Sequence, residues 1–404
     1  GFGDKIAVLL LFSMMFFGII QDAHIPNYMG QWFLKLKISH GRPLVFCFIF
    51  ILGVYVLSAL TGILGALLIF WPSLYSVVDK LGYNRHDAFV PVMMVGTFFG
   101  AALGQPALPI KGGNLIVIAA FQKVSGLEIN GMAYVLYNIG ISLVLILMYV
   151  MLIKYVFRPD LGRLQQINAD FFAKDALPAM SSQQKVLSIL LVLYLAITLL
   201  SGVLPKTWAP VAFLKALDTS GITIVFVVLL CLIRIEGKPL FTIKQAGKHV
   251  NWSVYCLICV VLFISTLLTA DATGIKPFLV KILDPILGGK GMVLFAFLVL
   301  LIAVIVTNFA NNAVVGAILA PVIFAFSEQM HFDPIPLTVV MTMIVFFLAF
   351  LTPAASPYAA MLHGNTEWLS AKDIYKYGGI TIILGVLVCT IIGVPLATFL
   401  FGIL

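Results

Sequence analysis

No charged residue occurs between Lys290 and Glu328, yet Thr307, Asn308, Asn311 and Asn312 sit in the middle of that run. A helix needs about 20 apolar residues to cross the hydrocarbon core. The run is therefore long enough for two arms, with the polar cluster deep between them. Amides and hydroxyls at that depth are costly unless they meet a cavity, an ion or another polar group. Two readings follow: the cluster glues neighbouring helices together, or it forms the tip of a re-entrant hairpin that holds a cation and a substrate.

Hydrophobic residues make up 62% of the 404 positions and charged residues 10%, against about half and about a quarter in soluble domains. The chain reads as an all-α polytopic membrane protein, with room for roughly eight to eleven spans or half-spans. Runs of this length exclude a β-barrel, whose mark is short alternation. Cys47, Cys231, Cys256, Cys259 and Cys389 all lie in apolar runs and read as small core residues. The net charge of +8 is scattered at span ends rather than gathered into a basic face. That pattern marks a plasma (inner) membrane protein embedded in a lipid bilayer, and it sets nucleic acid aside.

In chain order, a first span covers 5–24, with Asp22 and His24 as caps or hinge anchors. Apolar arms at 43–57 and 62–78 flank Ser58, Thr61 and Gly62, and each arm is short for a full span. This suits a hairpin, 43–78, that enters and leaves on one side. A helix over 88–121 is broken by Pro106, Pro109, Gly112 and Gly113, with Lys111 and Asn114 in or beside the break. Backbone groups freed there must meet an ion, water or ligand.

A span at 132–156 leads to a polar cytoplasmic linker, 157–184, then to spans at 186–204 and 219–235. A surface helix is expected over 236–250, and a span at 252–270 runs into Asp271. The charge-free stretch forms a second hairpin, 291–327. A second broken helix, 334–363, is interrupted at Thr352, Pro353, Ser356 and Pro357, and the last span is 378–402.

The halves match in order. Asp22 pairs with Asp271, Gly41-Arg42 with Gly289-Lys290, and Thr61-Gly62 with Asn312-Ala313. Asp87 pairs with Asp333, and the Pro106 break with the Pro353 break, all at an offset of about 250 residues. Placing the first hairpin, the linker, 236–250 and the 367–377 turn in the cytoplasm puts sixteen of the 24 Lys and Arg inside and seven outside. The second hairpin then enters from the opposite side. The repeats, 1–156 and 185–404, are therefore inverted, which is the plan of a secondary transporter. Spans 186–204 and 219–235 lack a counterpart in the first half, so two or three further helices are expected upstream of Gly1.

Two facing hairpins with polar tips, each followed by a proline-interrupted helix, resemble the divalent anion:sodium symporter family of the ion transporter superfamily. The family's hairpin-tip motif reads here Asn311-Asn312-Ala313, with Pro321 ending the run after it. Its helix-break motif reads Thr352-Pro353-Ala354-Ala355-Ser356-Pro357, and Val250-Asn251-Trp252 is similar to the opening of its following helix. The resemblance implies an elevator transporter, generally a homodimer, with a scaffold that includes 186–250 and a transport domain that includes the hairpins and broken helices. It also implies a small anionic substrate (a dicarboxylate, tricarboxylate or sulfate) driven by sodium or by exchange. The chain departs from the family at the first hairpin, which has no asparagine, and at Lys111, where small polar residues are usual.

Sodium takes five or six neutral oxygens, and Thr307, Asn311, Asn312, Thr352 and Ser356 are the candidate side chains for it at the second hairpin. An anion suits helix N-termini and donors. Its candidates are Ser58, Thr61, Gly62, Lys111, Asn114, Asn311, Asn312, Ser356 and Pro357. Lys111 is expected either to replace a first sodium, leaving one coupled cation, or to snorkel to the interface. A proton-coupled or exchange-only carrier is the alternative to sodium symport. His363 and Glu367 read as surface residues. No nucleophile triad, metal-ligand set or phosphate loop occurs, so neither an enzyme nor a bound organic cofactor is expected.

Overall fold

Helix starts follow the capping chemistry of the sequence. Asp4 accepts from the Ile6 N–H to open α1 (Lys5–Asp22), and Asn130 accepts from Met132 and Ala133 to open α6 (Gly131–Leu152). Ser181 and Gln184 form a reciprocal capping box at α7 (Ser182–Val203). Asp333 caps α14 (Pro334–Phe347), whose first residue is a proline already set for helix. The computed structural model describes residues 2–85, 87–168, 171, 177–204, 207–235, 237–269 and 274–403. Among these, seven helices are long and apolar enough to cross a membrane, and five apolar helices are shorter.

The shorter helices belong to the two repeats. The first hairpin, α3 (Pro43–Lys80), turns at Gly62, whose φ of 84° and ψ of 172° are open to glycine alone. The arms run back on each other, for Phe50 and Phe70 bring their rings to 5.1 Å. The second hairpin is α12 (Met292–Thr307) and α13 (Asn312–Met330), closed by the Phe295–Phe326 pair at 5.6 Å. The first broken helix is α4 (Phe89–Gly104) and α5 (Asn114–Ser125), and the second is α14 and α15 (Pro357–Gly364). The repeated order of hairpin and broken helix read from the sequence is thus realised in helices. Of the five paired positions, Asp271 and Ala272 lie outside the described residues.

The core sits where the broken helices cross. Every residue of α4 is buried, and so is all of α14 except Ile335. Phe99 meets Phe347 at 5.8 Å and Phe98 meets Phe350 at 5.5 Å. The second hairpin packs on the first broken helix, and a Cβ on Gly316 would lie 2.5 Å from Val117. Only glycine permits that approach. By contrast, Ser182–Ser201 and α8 (Ala209–Leu232) bury 28% of their apolar windows, against 61% for α13, so they lie at the periphery.

Two expectations are corrected. The segment 236–250 is not one surface helix. Gly237 turns the chain at φ +79°, Arg234–Ile235 pairs antiparallel with Lys238–Pro239, and only Ile243–Gly247 is helical. Pro239 has no N–H with which to continue a helix. Cys256 is exposed rather than part of the core, whereas Cys47, Cys259 and Cys389 are buried. Within α8, Asp218 takes φ 54° and ψ −178°, and its Oδ1 accepts from the Ser220 and Gly221 N–H groups. The helix restarts there, which is where the span at 219–235 was expected to begin. Asp22 does anchor a contact, to His249 at 3.0 Å.

Candidate functional site

Each break faces a hairpin tip. At the second, Thr307 Oγ1 donates to the Val345 carbonyl at 2.9 Å and lies 3.2 Å from Asn312 Oδ1. Thr352 Oγ1 donates to the Asn308 carbonyl. Thr307, Asn308 and Asn312 are buried, and Thr352 is half-buried. Every oxygen named is neutral, and the described residues hold no group of three or more His, Cys, Asp or Glu side chains that could bind a metal. Such a set fits a hard monovalent cation better than a divalent one, which draws on carboxylates.

The remaining candidates of this half serve the helices. Asn311 is exposed, and its Oδ1 accepts from the Ala313 and Val314 N–H groups at 3.1 and 3.3 Å. Ser356 Oγ accepts from Ala359 N–H at 3.0 Å, and Pro357 is the first residue of α15. Both helices therefore begin at the break region, where N-terminal N–H groups favour an anion.

At the first break, Lys111 is buried and its Nζ donates to the Ser58 carbonyl at 3.4 Å, with the Phe17 ring centroid at 5.1 Å. Its Nζ is held inside the protein, against the first hairpin. Ser58 Oγ donates to the Ala101 carbonyl at 2.5 Å, and Thr61 Oγ1 to Leu57 at 2.9 Å. Asn114 donates to Leu108 and Pro106 and touches Tyr134 Oη at 3.3 Å, while its Oδ1 has no partner among the described residues. The side chain of Lys111 makes no ion pair among the described residues.

The two tips come together at the first break. Lys111 reaches the first hairpin, and a Cβ on Gly113 would lie 3.7 Å from Ala313 of the second and 3.0 Å from Phe346. Sequence reasoning passed over Asn308, the most heavily bonded side chain of the second tip. Its Nδ2 donates to the Val304 and Leu348 carbonyls at 2.8 and 2.9 Å, and its Oδ1 accepts from Leu351 N–H at 2.8 Å. The signal available was its place beside Thr307. His363 faces the Phe350 carbonyl at 3.2 Å, and Glu367 pairs with Arg85.

Comparisons agree with this architecture. The chain is 23% identical, over 371 residues, to an uncharacterized transporter of Methanocaldococcus jannaschii, a match that covers 91% of this chain and 78% of that protein. Its fold is similar to that of the Alcanivorax borkumensis YdaH transporter, whose crystal structure is described as having an unusual topology. That likeness has a TM-score of 0.62 at 12% identity and covers 95% of this chain and 84% of the other. A family described as citrate transporters, CitMHS, matches residues 1–345. The protein is a multi-pass integral membrane transporter, and the chain belongs to the citrate transporter family.

Proposed function

We propose that the chain is a secondary active transporter of small organic or inorganic anions, either di- and tricarboxylates of the citrate kind or sulfate-like. Sodium is the coupling ion, and the machinery works as in the divalent anion:sodium symporters that its hairpin motifs resemble. The observation that carries this reading is the buried pair Thr307 Oγ1 and Asn312 Oδ1, 3.2 Å apart among neutral oxygens at a helix break. Across the first break stands the Lys111 ammonium, so an anion between them would meet positive charge on both sides. Ser58, Thr61, Gly62 and Asn114 line the first side. Asn311, Ser356 and Pro357 supply helix starts on the second, and Thr352 adds a hydroxyl.

The movement suited to this plan is an elevator. The hairpins and broken helices travel as one domain against a scaffold that includes 186–250, within a homodimer in the plasma (inner) membrane. The peripheral placement of α7 and α8 supports their role as scaffold.

A second reading is favoured by the first hairpin. Lys111 lies against a carbonyl that a first sodium would otherwise occupy, which suits a proton-coupled or exchange-only carrier. Thermal unfolding of the purified protein separates the readings. A ligand at about 100 times its Kd adds about 2.7 kcal/mol to the native state. Sodium, but not choline, should raise the melting temperature, and citrate, succinate or sulfate should raise it further. A rise with anions alone would favour exchange, and no rise with any anion would end the anion reading.

A further inference from the structure

The last four carbonyls of a helix lack partners within it, and a helix broken in mid-membrane leaves them far from water. Here the hairpin tips supply the donors. Ser58 Oγ donates to Ala101, and Asn308 Nδ2 donates to Leu348. Ala101 and Leu348 are equivalent, each five residues before the first proline of its break, Pro106 and Pro353. The two repeats thus share one bond, tip to half-helix end, with a hydroxyl as donor in the first and an amide in the second. The amide does more. Asn308 also holds Val304 and Leu351, and its backbone carbonyl receives Thr352 Oγ1.

We propose that Asn308 is the positioning residue of the second site, fixing the tip and the break in one register so that Thr307, Asn312 and Thr352 converge. It does not itself have to touch the cation. The residue is 4% exposed and both ends of its amide are committed to backbone groups. Without it, the break would keep its sequence and lose its shape.

Two measurements on the full chain in nanodiscs test this. The first is amide hydrogen exchange over residues 345–356 in wild type, Asn308→Ala and Asn308→Ser. The second is uptake in proteoliposomes, read as half-saturation by sodium and, separately, by the anion at saturating sodium. Serine can donate one bond, as Ser58 does in the first half. Exchange should rise about tenfold in Asn308→Ala and less in Asn308→Ser, the scale of one or two lost hydrogen bonds. Sodium half-saturation should rise in the same order, with anion half-saturation within about twofold of wild type.

Trp368→Ala, remote from the tip, controls for general loss of stability and should leave exchange over 345–356 near wild type. The proposal is overturned if Asn308→Ala exchanges like wild type, if Trp368→Ala gives the same rise, or if the serine variant is no better than alanine. If Asn308→Ala does not fold, Asn308→Ser and Asn308→Asp carry the comparison. The transport readout rests on the cation reading above, whereas the exchange readout does not. Absence of any sodium response in wild type would remove that reading and leave exchange to decide the role of Asn308.

Discussion

Tyr75, near the end of the first hairpin, stacks on Trp368, just beyond the second broken helix, with ring centroids 4.2 Å apart and planes 15° from parallel. Asn365 Nδ2 donates to the Tyr75 hydroxyl at 2.6 Å, and the Arg85 guanidinium lies over the Trp368 ring at 4.6 Å. One repeat is thereby fastened to the other at their ends. Trp368→Ala should cost about 3–5 kcal/mol, the usual loss for a large buried aromatic. Glu367→Gln, which removes only the exposed pair with Arg85, should cost about 0.2–1 kcal/mol. Denaturant titration of the two variants in one detergent gives the comparison, and equal losses would contradict this ranking.

Gly62→Ala isolates backbone strain. A Cβ there would meet nothing within 4 Å, so neighbours do not oppose it. The opposition comes from φ 84° and ψ 172°, a region that costs other residues about 1–3 kcal/mol. The melting temperature should fall, and anion half-saturation should worsen because the tip that presents Ser58 and Thr61 must relax. Wild-type behaviour in both would show that the tip tolerates another turn.

Lys111→Met removes the ammonium and keeps much of the chain length. If the ammonium stands in for a sodium, the variant should either lose anion uptake or gain a steeper dependence on sodium, as the Ser58 carbonyl seeks another cation. Uptake measured over a sodium series reads this out. Unchanged rate and unchanged steepness would remove Lys111 from the site.

Gly316→Val should cost about 1–3 kcal/mol by overpacking, because its side chain would enter Val117. Adding Val117→Ala should restore part of the loss, since space is then returned at the same contact. Lack of rescue in the double variant would place the strain elsewhere.

The hairpins and broken helices were legible because membrane depth makes polar residues conspicuous. Pro106, Pro353 and the Thr307–Asn312 cluster stand out for one reason: an unsatisfied group in hydrocarbon is costly. What composition could not show was the division of labour among like residues. Asn308, Asn311 and Asn312 are chemically identical, yet one ties the tip to the break, one caps a helix and one lies beside Thr307. The same limit applied to 236–250, where charge suggested a surface helix while Gly237 and Pro239 dictated a turn and a short strand pair. The kink at Asp218 depends on that carboxylate capping Ser220 and Gly221, a contact that needs coordinates to be seen.

The half-helix ends that meet in the interior pass their free carbonyls to side chains: Ala101 to Ser58, Val345 to Thr307 and Leu348 to Asn308. These carbonyls therefore have no need of solvent. A solute carried past them does not have to strip water from a backbone that depends on it, and its departure does not require that water to return. The interior needs no water at these three points. The dehydration that accompanies binding then falls on the ligand rather than on the protein.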